Sequence, residues 1–143
     1  MKKEIIDQIQ KKVIKLLRKN SNKPLYISSE DNCSEIARLV GIWIMEKLPQ
    51  TKIHILKDTD VLHTKKCHDI LAVKCDGKIN LFDPTIWQFF KNKKSIFIVK
   101  TNNLSEALAV AKKIYHGEWK ISELLDANKY DKIKLLETVD SNI

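Results

Sequence analysis

His68-Asp69-Ile70-Leu71-Ala72-Val73-Lys74-Cys75, then Asp76-Gly77, then Lys78-Ile79-Asn80-Leu81-Phe82-Asp83 reads as two strands joined by a two-residue turn. Asp-Gly is a favoured pair for a type I′ loop, whose twist suits an antiparallel hairpin. A two-residue loop pairs Cys75 with Lys78 and, continuing down the ladder, Ile70 with Asp83. Side chains alternate faces along a strand, so His68 shares a face with Ile70 and becomes a diagonal neighbour of Asp83. A loop one residue longer would put them on opposite faces.

Outward from the hairpin, Lys52-Ile53-His54-Ile55-Leu56 alternates as a strand and Ser95-Ile96-Phe97-Ile98-Val99-Lys100 as another, with a polar loop over 58–66. Apolar residues recur at helical spacing through 4–19 (Ile5, Ile6, Ile9, Val13, Leu16, Leu17) and 33–48 (Ile36, Ala37, Val40, Ile44, Leu48). Asn20-Ser21-Asn22-Lys23-Pro24 breaks the first helix and Pro49 ends the second. Ser28, Ser29, Asp31 and Asn32 are capping candidates before the second. Residues 104–116 read as a helix ended by Gly117, and the tail from Trp119 to Val139 as one or two short helices. Helices lead, antiparallel strands fill the middle and helices close. That is an α+β order, expected as one domain over 1–143 with N-terminal helices packed on a central antiparallel sheet.

Composition narrows the function. The 143 residues are 43% hydrophobic, enough for one real core, and three glycines with three prolines leave little for linkers. No run approaches a membrane span, and the start lacks the apolar stretch of a classical signal peptide. Three cysteines form no disulfide framework, so the expected setting is cytoplasmic, or a target cell's cytoplasm after delivery by a specialised secretion system. The net charge is +8, yet only Arg18 and Arg38 are arginine among 26 basic residues. Scattered lysines read as a solvated surface, so no nucleic-acid partner is expected; an acidic protein partner fits the same charge.

Three residues carry chemistry. Cys33 opens a helix, where unpaired amides and the dipole favour a thiolate. His68 is placed to act as its base, and Asp83 to orient the imidazole and stabilise its charged form. The Cys33 amide and a side-chain donor, Gln88, are candidates to hold an oxyanion. Each has a plainer use: Cys33 as a small core hydrophobe, His68 at a strand rim, Asp83-Pro84-Thr85 as a turn, Gln88 as surface. On that reading the chain is a basic, non-catalytic interaction module. A zinc site from Cys67, His68 and Cys75, with His63 and Cys33 near in sequence, is the rival use, but no Cys-x-x-Cys pair exists. No metal or other cofactor is expected.

Cys33 at a helix start, His68 opening a strand fifteen residues before Asp83, and Asp83-Pro84-Thr85-Ile86-Trp87-Gln88-Phe89 together resemble the papain-like and transglutaminase-like thiol hydrolases. The likeness covers roughly residues 30–90 and is nearest to the papain-fold toxin domains, which include the protein-glutamine deamidase domains of bacterial toxins and effectors. The resemblance implies a papain-like core, Cys33 as nucleophile, His68 as general base and acid, Asp83 as orienter and Gln88 on the oxyanion side. It implies a glutamine of a target protein as substrate, with an immunity or host protein as a further partner. Cysteine protease and transglutaminase are alternatives within the same superfamily. Papain itself carries its oxyanion glutamine six residues before the cysteine, where this chain has Ile27, which leaves Gln88 or Asn32 for that role.

Overall fold

The structure is a computed structural model and describes residues 1–19 and 22–142. It is α+β: five antiparallel strands flanked by five α-helices among the described residues. The first helix, α1 (Lys3–Arg18), buries Ile9, Val13, Leu16 and Leu17 and places Glu4 in its first turn and Lys15 and Arg18 in its last, matching the helix dipole. A six-residue helix, α2 (Leu25–Glu30), and then α3 (Cys33–Lys47) follow. After them come β1 (Lys52–Asp58), β2 (His68–Cys75), β3 (Lys78–Phe82), β4 (Phe97–Thr101), α4 (Leu104–Tyr115), β5 (Lys120–Leu124) and α5 (Lys132–Asn142).

The sheet order is β4-β3-β2-β1-β5, so the hairpin lies at its centre. Cys75 pairs with Lys78 and Leu71 with Phe82, as the two-residue turn requires. Asp76 and Gly77 both take positive φ (53° and 75°), the type I′ signature. Both faces of the sheet are covered. Ile53, Ile55, Leu71, Val73 and Phe82 join α1, α3 and α5 in one core. Ile70, Ala72, Ile79 and Leu81 point the other way, onto Ala107, Ala111 and Tyr115 of α4. Double cover explains why β2 is buried at every position but Lys74 instead of alternating.

Four local expectations differ from the structure. The tail after Trp119 is not purely helical: Lys120–Leu124 forms β5, antiparallel to β1. Its residues are mostly exposed, so pairing along the β1 edge, and not burial, makes it a strand. Β-pairing in β4 begins at Phe97, two residues later than the apolar run suggests. Ser28 and Ser29 belong to α2 and are buried, and no side chain caps α3 from Asn32. The polar loop contains a 3₁₀ turn, Val61–His63. Asn20 and Ser21 of the expected helix-breaking segment lie outside the described residues. No described helix is long and apolar enough to cross a membrane.

Candidate active site

Strand parity brings His68 and Asp83 to the α4 side. His68 opens β2 in phase with Ile70 and Ala72, and Asp83 follows β3 in phase with Ile79 and Leu81. Asp83 leaves the ladder as its amide donates to the Ile96 carbonyl (2.8 Å), and its Oδ1 accepts from the Thr85 amide (3.1 Å). That turn fixes the carboxylate. His68 Nε2 then meets Asp83 Oδ2 at 2.7 Å, with both side chains fully buried.

A third group joins them. The Tyr115 hydroxyl, on the last turn of α4, donates to the same Asp83 Oδ2. Burial, with the Asp83 charge and that bond, raises the Tyr115 phenol well above its usual range, so it remains a neutral donor. Sequence reasoning missed Tyr115, which looks there like one more residue of an apolar helical stripe. Phe89 sets its ring edge-on to the imidazole at 4.9 Å, and Trp119 stands edge-on at 6.4 Å. The imidazole is thus walled by aromatic rings.

Cys33 is the first residue of α3 and is half-buried, with its Sγ 4.0 Å from the Cys67 carbonyl oxygen. Burial works against a charged His68, but the Asp83 charge and hydrogen bond, together with Cys33, outweigh it and raise the imidazole to about 10. Because Asp83 holds Nε2, Nδ1 is the nitrogen left for the sulfur. Nδ1 is buried and closes no hydrogen bond, and Cys33 is among the groups that raise the ring. The consequence for stability has a defined sign. A histidine raised from 6.5 to about 10 on folding contributes fully below about pH 6.5 and loses that contribution as the pH climbs through about 10. Thermal melts across that window are expected to fall by several degrees, and a His68→Phe variant is expected to lose that part of the slope. Parallel melting curves for the two proteins would remove the ion pair from the account.

A second, part-buried cluster ties α3 to β2. Arg38 Nη1 donates to Asp69 Oδ2 (2.6 Å), to the Ser34 carbonyl (3.2 Å) and to Ser34 Oγ (3.0 Å), while Nη2 donates to Glu123 Oε1 (2.9 Å). Ser34 adjoins Cys33 and Asp69 adjoins His68. One guanidinium therefore spans the neighbours of Cys33 and His68, and the Tyr130 hydroxyl closes the group on Glu123 Oε2 at 2.6 Å.

The remaining candidates fall as follows. Gln88 is half-buried in a 3₁₀ turn, Ile86–Gln88, that packs against α2, the segment leading to Cys33; its Oε1 is buried without a partner. It is also the neighbour of Phe89, which touches His68. The Asn32 amide is already engaged, with Nδ2 donating to the Ser28 carbonyl (2.7 Å) and Oδ1 accepting from Asn142 (3.1 Å). With no side chain capping α3, the amides of its first turn are left for an oxyanion. Cys67 is exposed and Cys75 buried, and no group of three or more His, Cys, Asp or Glu side chains is arranged to hold a metal among the described residues. Comparison with protein-family models, curated proteins and solved structures returns no match.

Proposed function

We propose that the chain is a thiol hydrolase working through Cys33, His68 and Asp83, and that its reaction is deamidation of a glutamine side chain in a target protein. The observation that carries the reading is the 2.7 Å His68–Asp83 bond, with Nδ1 of the same ring unpartnered and the half-buried Cys33, at the start of α3, among the groups that raise that ring. The order nucleophile, base, orienter matches the thiol hydrolase arrangement in which each group prepares the next. In the reaction, Cys33 Sγ attacks the carboxamide carbon and the amides at the start of α3 hold the developing oxyanion. His68 gives its proton to the leaving nitrogen, and ammonia departs from a thioester. Water, losing a proton to His68, then opens the thioester and returns the thiol with a glutamate product.

Tyr115 supports the same reading, because its hydroxyl keeps Asp83 aimed at the imidazole. The choice of glutamine, and of a toxin or effector setting with an immunity partner, comes from the likeness of residues 30–90 to papain-fold toxin domains. The test has two arms. Iodoacetamide at neutral pH is expected to label Cys33 ahead of Cys67 and Cys75, with the preference lost in His68→Ala. Candidate targets incubated with the protein are expected to gain about one dalton per event, as follows from the shared acyl-enzyme. A cleaved target would replace deamidation by proteolysis. Equal labelling of all three thiols would end the hydrolase reading.

A further inference from the structure

Cys67 has no part in the hydrolysis, yet its backbone carbonyl lies 4.0 Å from the Cys33 sulfur. An independent contact holds the same two segments together: Glu30, three residues before Cys33, makes an ion pair with Lys66, one residue before Cys67. Cys67 is exposed and Cys33 half-buried, whereas Cys75 is buried. Cys67 also precedes the first paired residue of β2, so no ladder bond fixes its backbone. The loop before it already places Leu62, His63 and Lys65 at positive φ.

We propose that Cys33 and Cys67 close a reversible intramolecular disulfide when the protein meets a peroxide, capping the nucleophile with its neighbour. The functional meaning of the cap rests on Cys33 being the reactive thiol described above; the bond itself does not. The chemistry takes two steps. The Cys33 thiolate attacks one oxygen of the peroxide, the O–O bond breaks, and the products are a sulfenic acid and hydroxide (water after protonation). The Cys67 thiol then attacks the sulfenic sulfur and a second water leaves as the S–S bond forms. Two thiols have lost two electrons and two protons, and the peroxide has gained them. The benefit is protection, since a sulfenic acid without a resolving thiol goes on to irreversible sulfinic and sulfonic acids. Cys67 is exposed with its backbone against this sulfur, whereas Cys75 is buried.

The test treats the full chain with hydrogen peroxide and reads intact mass, thiol count and cross-linked peptides. The expected result is a loss of about two daltons, a Cys33–Cys67 linked peptide, a Cys75 that still alkylates after unfolding, and full return of Cys33 labelling on reduction. Cys67→Ser is expected to gain oxygen instead, by about 16 daltons in a form that dimedone traps, and then to lose Cys33 irreversibly. Irreversible oxidation of Cys33 at the same rate with and without Cys67 would overturn the proposal. So would a link to Cys75 or between two copies. A Cys33–Cys67 link in a protein whose reduced form labels independently of His68 would keep the disulfide and sink the hydrolase.

Discussion

Replacing Asp83 by asparagine is expected to lower Cys33-dependent turnover by about two to four orders of magnitude while the fold persists. Asparagine keeps the size of the side chain, and its oxygen can still accept from the Thr85 amide, as Asp83 Oδ1 does. What it cannot do is serve as a charged acceptor at Nε2. An amide NH₂ aimed at Nε2 turns that nitrogen into an acceptor and moves the ring proton to Nδ1, the nitrogen that must take the thiol proton. The attraction of Asp83 that raises His68 disappears as well, and burial, the largest influence on that ring, is then opposed by Cys33 alone. The measurement is the rate of Cys33 alkylation from about pH 5 to about pH 9, which should move to more alkaline pH in the variant. Superimposed profiles would strip Asp83 of its orienting role.

The second large effect concerns stability. Arg38→Ala should cost about 3–5 kcal/mol, because it strips a buried carboxylate of its partner. Arg38 is 11% exposed and Asp69 1%, and the nearest remaining cation, Lys57, stands 3.7 Å from Asp69 Oδ1. Lysine would not restore the site, since one ammonium cannot bridge Ser34, Asp69 and Glu123 together. Surface pairs provide the contrast. Lys19–Asp140 and Lys132–Glu46 are roughly half exposed, and alanine at either lysine should change stability by under about 1 kcal/mol. Urea unfolding of the three variants checks both statements. A loss at Arg38 no larger than at the surface lysines would mean that the cluster holds nothing together.

How much of this was legible beforehand depended on whether the signal was local. The hairpin was, because Asp76-Gly77 dictates a loop length and the loop length dictates which face Asp83 occupies. The helix beginning at Cys33 was also readable from its apolar stripe. Β5 was not, since Lys120–Leu124 carries little burial and becomes a strand only through the free edge of β1. Tyr115 escaped because its role needs α4 to lie over the hairpin, a placement no spacing within 104–116 encodes. Arg38 and Asp69 escaped similarly: they stand 31 residues apart and meet only when α3 packs on β2. Asn32 was read as a donor for chemistry, but its amide is spent on Ser28 and Asn142.

That last contact reaches beyond the turn it decorates. Asn142, on the final turn of α5, donates to the Asp31 carbonyl and to Asn32 Oδ1, immediately before Cys33. Fraying of α5 and loosening of the Cys33 turn are therefore one local event, not two. Deuterium should enter the amides of both segments with a common opening rate, and an Asn142→Ala variant should speed exchange at residues 31–33 while leaving the central strands unchanged. The turn that opens α3 is thus tied to the last turn of α5.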